Sequence, residues 1–228
     1  MNATRWKGKN RMKSFKAVMG WGVVVLLMAV SARAQLGLPV AESYEARKTG
    51  QLDLTVGAML SDDLKCYAVR DTFGVLEDLR LFVDLGLADV KRNDEDLAVQ
   101  AGLIYCLPID VPVDLGLRAA AYWFNGNVNE ITGASALLLA SGNPVFEGLY
   151  VYGGGGFDYR KTQIDLAQLD LELTDELTES TAGLDDSEND VFAVVTFGAL
   201  MPITEKVWFF AEATYDDEPF LAIGVRSR

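Results

Sequence analysis

The sequence predicts an all-β protein, a closed antiparallel up-and-down transmembrane β-barrel of about ten strands, with eight as the alternative. Three observations predict it. Stretches of about 8–12 residues, the length that crosses a bilayer when tilted, alternate apolar with polar or small residues along the chain. Short turns take their places between longer loops. An export signal precedes the first stretch.

The signal reads in three parts. Arg5, Lys7, Lys9, Arg11, Lys13 and Lys16 are followed by an uncharged, mostly apolar run of 14 residues, 17–30, and then by Ala32-Arg33-Ala34 before Gln35. The run is shorter than the ~18–20 residues of a membrane-spanning helix, so residues 1–34 are expected to be a signal peptide cleaved between Ala34 and Gln35. Met12 offers a second start that still leaves a complete signal. Of the 20 basic and 33 acidic residues, residues 1–34 hold seven basic and no acidic ones, which leaves 13 against 33 and a net charge of −20. That balance excludes a phosphate-binding nucleic-acid surface. It suits an anionic outer surface, with divalent cations at the acidic loops as expected partners. Histidine is absent, which removes Ser–His hydrolysis and His-ligated zinc. No catalytic residue, cofactor or metal site is expected.

Residues 35–50 contain Pro39 and no clear period, and are expected to be a periplasmic tail before the barrel of residues 51–228. The first strand, 51–60, sets Leu52, Leu54, Val56, Ala58 and Leu60 against Asp53, Thr55 and Gly57. The second, 64–73, is the weakest, because Lys65, Arg70 and Asp71 interrupt it. The third, 79–87, sets Leu79, Leu81, Val83, Leu85 and Leu87 against Arg80, Asp84 and Gly86. The fourth, 96–106, carries Leu97, Val99, Ala101, Leu103 and Tyr105 on one face. Pro108 and Pro112 then mark a tight connection, since neither has a ladder donor.

The fifth strand, 112–123, is the clearest: Val113, Leu115, Leu117, Ala119, Ala121 and Trp123 oppose Asp114, Gly116, Arg118, Ala120 and Tyr122. The sixth, 130–140, is small and apolar. The seventh, 147–160, contains Gly153 to Gly156, with Tyr150, Tyr152, Asp158 and Arg160 on one face. A phosphate loop needs Lys-Ser/Thr directly after its last glycine, and Lys161-Thr162 comes too late. The glycines are expected to leave room for tyrosine rings in a narrow lumen.

Residues 161–189 form the long outer loop, a short helix or a protruding hairpin by its leucine spacing. Its acidic end, Asp185 to Asp190, lacks the glycine and spaced ligands of a calcium loop. Strands at 190–200, 206–215 and 220–227 complete the set. Cys66 and Cys106 fall on strands that do not pair, so two small buried thiols are favoured over a disulfide.

Alternation puts Asp53, Arg80, Asp84, Asp114, Arg118, Asp158, Glu212 and Arg226 on the polar face, where a lumen network is expected. Tyr105, Trp123, Tyr159 and Tyr215 fall at strand ends on the apolar face, as an aromatic girdle. With both termini periplasmic, the long insertion falls outside.

On this pattern, and on the closing strand Leu221-Ala222-Ile223-Gly224-Val225-Arg226, the chain resembles the small outer-membrane β-barrel proteins of Gram-negative bacteria, the porin-like and OmpA-like barrel class. The resemblance implies a monomer in outer-membrane lipid. The foremost expectation is a non-catalytic barrel with a structural or surface-interaction role. A narrow pore for small solutes or cations and a soluble periplasmic barrel binding an apolar ligand are the alternatives.

Overall fold

The computed structural model describes residues 49–61, 64–90, 96–126, 129–142, 148–164, 187–216 and 218–227. All belong to the unit Ala32–Arg228. The signal peptide with its cleavage residues Ala32, Ala34 and Gln35, nearly all of the N-terminal tail, and residues 165–186 of the long loop lie outside the described residues.

Ten strands make one closed antiparallel barrel in which each strand pairs with its sequence neighbours and β1 closes on β10. They are β1 Leu52–Leu60, β2 Leu64–Gly74, β3 Leu79–Val90, β4 Asp96–Cys106, β5 Asp114–Asn125, β6 Asn129–Gly142, β7 Tyr150–Ile164, β8 Ser187–Pro202, β9 Val207–Asp216 and β10 Glu218–Ser227. Closure runs from Thr55 opposite Arg226 to Leu60 opposite Leu221. The strands flanking the long insertion reach into it: β7 continues to Ile164 and β8 begins at Ser187, where a loop over 161–189 was expected.

The alternation in the sequence becomes two opposed surfaces. Along β2 the burial alternates residue by residue, with Cys66, Ala68, Arg70 and Thr72 inward and Lys65, Tyr67, Val69, Asp71 and Phe73 outward. Lys65 and Asp71 do not break the strand; they sit on its outer side. Leu85 and Leu87 of β3, Leu97 of β4, Phe157 of β7 and Phe197 of β8 are each about half exposed or more. Inside, Arg70, Arg80 and Arg118 are each 1% exposed and Arg226 is 2% exposed. A protein folded in water distributes these groups the other way round.

Turns at the end of the barrel where β1 begins and β10 ends, here the terminal mouth, are closed by local hydrogen bonds. Val75 N donates to Leu79 O at 2.9 Å, and Ile203 N to Val207 O at 2.8 Å. Thr204 Oγ1 accepts from Val207 N at 3.0 Å, a hydroxyl turn that fixes the entry to β9. Gly148 leads into β7 with φ of 91°, a conformation that favours glycine.

Four inward aromatic side chains lie against the wall of the lumen. Each sits directly across the ladder from a glycine: Phe82 opposite Gly102, Tyr122 opposite Gly133, Tyr152 opposite Gly198, and Phe210 opposite Gly224. In each pair a Cβ on the glycine would collide with the ring. The seats for the rings are therefore not the four consecutive glycines that were expected to provide them. Gly154 and Gly156 instead lie against Leu139 and Leu137 of β6 and the backbone around them.

Candidate functional site

Among the described residues, the strands converge their polar side chains in the lumen. Near the terminal mouth, Arg226 Nη2 donates to Asp53 Oδ2 at 2.9 Å. The two residues come from opposite ends of the described chain, so this ion pair fastens the closing seam. One Arg80 nitrogen reaches Cys106 Sγ at 3.4 Å.

In the middle, Arg70 grips Asp84 with two bonds, Nε to Oδ1 at 2.6 Å and Nη2 to Oδ2 at 2.8 Å. Such a fork fixes both planar groups at once. Gln100 Oε1 accepts from Arg118 Nη2 at 2.9 Å and from Arg70 Nη2 at 3.3 Å. Both guanidinium groups lie over the ring of Phe82, Arg70 Cζ at 4.5 Å and Arg118 Cζ at 4.8 Å from its centroid. The ring's electrons attract both cations.

On the opposite wall, Tyr152 passes over Gly198 of β8 and donates its hydroxyl to Glu212 Oε2 of β9 at 2.7 Å. The hydroxyls of Thr196 and Thr214 each lie 2.8 Å from Glu212 Oε1. Towards the far mouth the same step recurs. Tyr122 of β5 passes over Gly133 of β6 and donates to Asp158 Oδ2 of β7 at 2.6 Å. Arg160 Nη2 bridges Asp158 at 3.4 Å and Asp216 at 3.2 Å.

The buried charges balance. Among the described residues Arg70, Arg80, Arg118, Arg160 and Arg226 face Asp53, Asp84, Asp158, Glu212 and Asp216, five of each sign, all at most 4% exposed. A low-dielectric interior tolerates ionised groups only when they are paired and hydrogen-bonded.

Of the eight residues expected in the lumen network, Asp53, Arg80, Asp84, Arg118, Asp158, Glu212 and Arg226 are buried inside the barrel. Asp114 is not: it is exposed as the first residue of β5, at the terminal mouth opposite Ser141. Its side of the pleat is the inner one, but the wall has ended there. Asp84, bound to Arg70, and Asp114 therefore do not form a carboxylate pair. Sequence reasoning missed Arg70, Arg160, Asp216, Tyr122 and Gln100 as network members. The signal for Arg70 was its shared parity with Cys66, Ala68 and Thr72; the neighbouring Asp71 obscured it.

The expected girdle residues Tyr105, Trp123, Tyr159 and Tyr215 all face outward, Tyr105 near the terminal mouth and the other three near the far mouth. Trp123 Nε1 donates to Glu130 Oε1 at 2.8 Å, and the Tyr159 hydroxyl donates to Asn189 Oδ1 at 3.0 Å. Tyr67 and Phe73 face outward as well, at 56% and 46% exposure. Cys66 and Cys106 are buried thiols, not joined in a disulfide, on β2 and β4 with β3 between them. The acidic loops expected to hold divalent cations lie mostly outside the described residues.

No protein-family description and no curated protein compared with the chain matches it. Solved structures do. The KdgM porin shares 9% identity at a TM-score of 0.41, over 77% of this chain and 98% of its own. The translocator domain of the autotransporter NalP from Neisseria meningitidis shares 13% at 0.41, over 95% and 97%. The N-terminal β-barrel domain of OprF from Pseudomonas aeruginosa shares 12% at 0.37, over 78% and 97%. The likeness to outer-membrane barrels is one of architecture.

Proposed function

We propose that this chain is a plugged outer-membrane barrel, without catalytic activity, whose work is done by what it presents at its outer mouth. The observation that carries the reading is the inversion of the two surfaces. Leucine, valine and phenylalanine cover the outside, while five arginines and five carboxylates are shut inside at most 4% exposed. Water favours the reverse, and lipid favours this arrangement. The far mouth faces outward in this reading, because β7 ends and β8 begins there, on either side of the longest connection in the sequence, and the charged outward pair Lys65 and Asp89 lies at that end.

A pore loses support from the same numbers. Arg70, Arg118, Phe82, Tyr152 and Phe210 are 0–2% exposed, and a path for a hydrated ion would wet some of them. The charge balance also removes the acidic lining that a cation path would need. An internal site for an apolar ligand would have to displace ion pairs and hydrogen-bonded tyrosines.

The protein is expected in the outer-membrane fraction as a monomer, beginning at Gln35 by mass, and migrating on a gel in a heat-modifiable way. Planar-bilayer recordings should give no steady open level. A soluble protein in the periplasmic fraction would overturn the location, and a stable conductance would overturn the plug.

A further inference from the structure

The strands that meet side by side at the far mouth end nearly level, with one exception. β2 and β3 stay paired to Leu64 opposite Val90, and β6 and β7 to Asn129 opposite Ile164. β4 and β5 stay paired to Ala98 opposite Phe124, two residues short of the end of β4 at Asp96. β10 outruns β1 by three residues, 218–220. β8, in contrast, pairs with β7 from Ser187 onward, but β9 reaches it only at Val194, opposite Asp216. It outruns β9 by seven residues, 187–193. Along residues 189–193 a strand lies on one side of β8 and, among the described residues, none on the other.

A strand edge is a row of amide donors and carbonyl acceptors directed sideways. Five residues of it extend about 16 Å. Chains usually guard such edges with proline, lysine or a bulge. The short overhang of β10 has its guard in Pro219, whereas Asn189-Asp190-Val191-Phe192-Ala193 contains neither proline nor lysine. Val191 is 68% exposed beside it. The charge at this rim is acidic in balance: Asp190 and Glu188 on β8 and Glu218 at the start of β10, against Lys161 of β7 opposite Asn189.

We infer that residues 189–193 of β8 receive an extended, cationic segment of another protein as an added strand. Backbone hydrogen bonds would supply the affinity and the acidic rim the preference for lysine and arginine. An apolar or β-branched side chain of the segment would lie against Val191. The geometry requires only the closed barrel; that the partner comes from outside the cell rests on the orientation proposed above.

The test uses the purified full-length barrel in detergent micelles, so it does not depend on location. The probe is a short synthetic peptide alternating lysine with valine, with two N-methylated versions, one blocked along each edge. The peptide should bind, slow hydrogen exchange of the amides at 189–193, and lose about tenfold in affinity when methylated on one edge but not the other. Asp190→Asn should weaken it several-fold at low salt. Equal binding by both methylated versions would reduce the contact to charge alone and overturn the inference. Protection of 189–193 before any peptide is added would also overturn it. Protection rising with protein concentration would identify a second copy as the occupant, and constant protection a segment of the same chain.

Discussion

Asp84 holds Arg70 through two short bonds, and neither side chain reaches water. Asp84→Ala would leave a buried guanidinium without its main counter-charge, a change that costs about 3–5 kcal/mol. Urea unfolding in lipid vesicles should show that loss, and Asp84→Leu combined with Arg70→Met should recover most of it. Gly156→Ala is a second test at this scale. Its Cβ would meet Ala136 O and Leu137 Cα, both backbone, so no rotamer change relieves it. The expected cost is about 1–3 kcal/mol, with Gly155→Ala, on the outer face, far milder. Alternation alone revealed the direction of Asp53, Asp84, Arg118 and Glu212. It did not reveal which partners they meet, because that depends on the register between strands: Arg70 stands directly across from Asp84 on the neighbouring strand, while Tyr152 reaches Glu212 from two strands away. Asp216 was hidden for another reason: it reads as a turn residue, yet it ends β9 inside the barrel with its carboxylate on Arg160.

At the scale of the strand, the decisive property is an outward row free of charge. On β3 that row is Leu79, Leu81, Val83, Leu85 and Leu87. Leu85→Arg places a cation in the middle of it and should cost about 2–4 kcal/mol in vesicle unfolding, while the same change on a soluble protein's exposed face would cost almost nothing. Asp71 is the exposed carboxylate of the β2 row, level with Leu54 near the terminal mouth. Asp71→Leu should stabilise the barrel by at most ~1 kcal/mol, because the penalty falls towards the interface. Strand number and order were legible in the period-two pattern and the turn residues. Strand ends were less so, above all at β7 and β8. Polar residues such as Lys161, Thr162, Glu188 and Asn189 read as loop, but ladder bonds to the neighbouring strand keep them extended beyond the apolar rows.

For the whole molecule, the two thiols report on closure. Cys66 lies near the far mouth and Cys106 near the terminal mouth, both inside the wall. Alkylation after denaturation without reductant should label both as thiols; a single bridged product would contradict the strand order. The pairing of rings with glycines has a consequence for assembly. Each ring stands on the first strand of a hairpin joined at the far mouth, and its seat on the second: β3 with β4, β5 with β6, β7 with β8, β9 with β10. A chain that shows no repeated sequence thus contains a repeated module. Relocating the ends of the polypeptide to residues 203–206, between β8 and β9, would leave all four modules whole. Opening it between β3 and β4 would send Phe82 and Gly102 to opposite ends of the rearranged chain. The first permutant should insert and fold at nearly the native rate, and the second should lag, because its last module must be rebuilt from strands that now arrive separately.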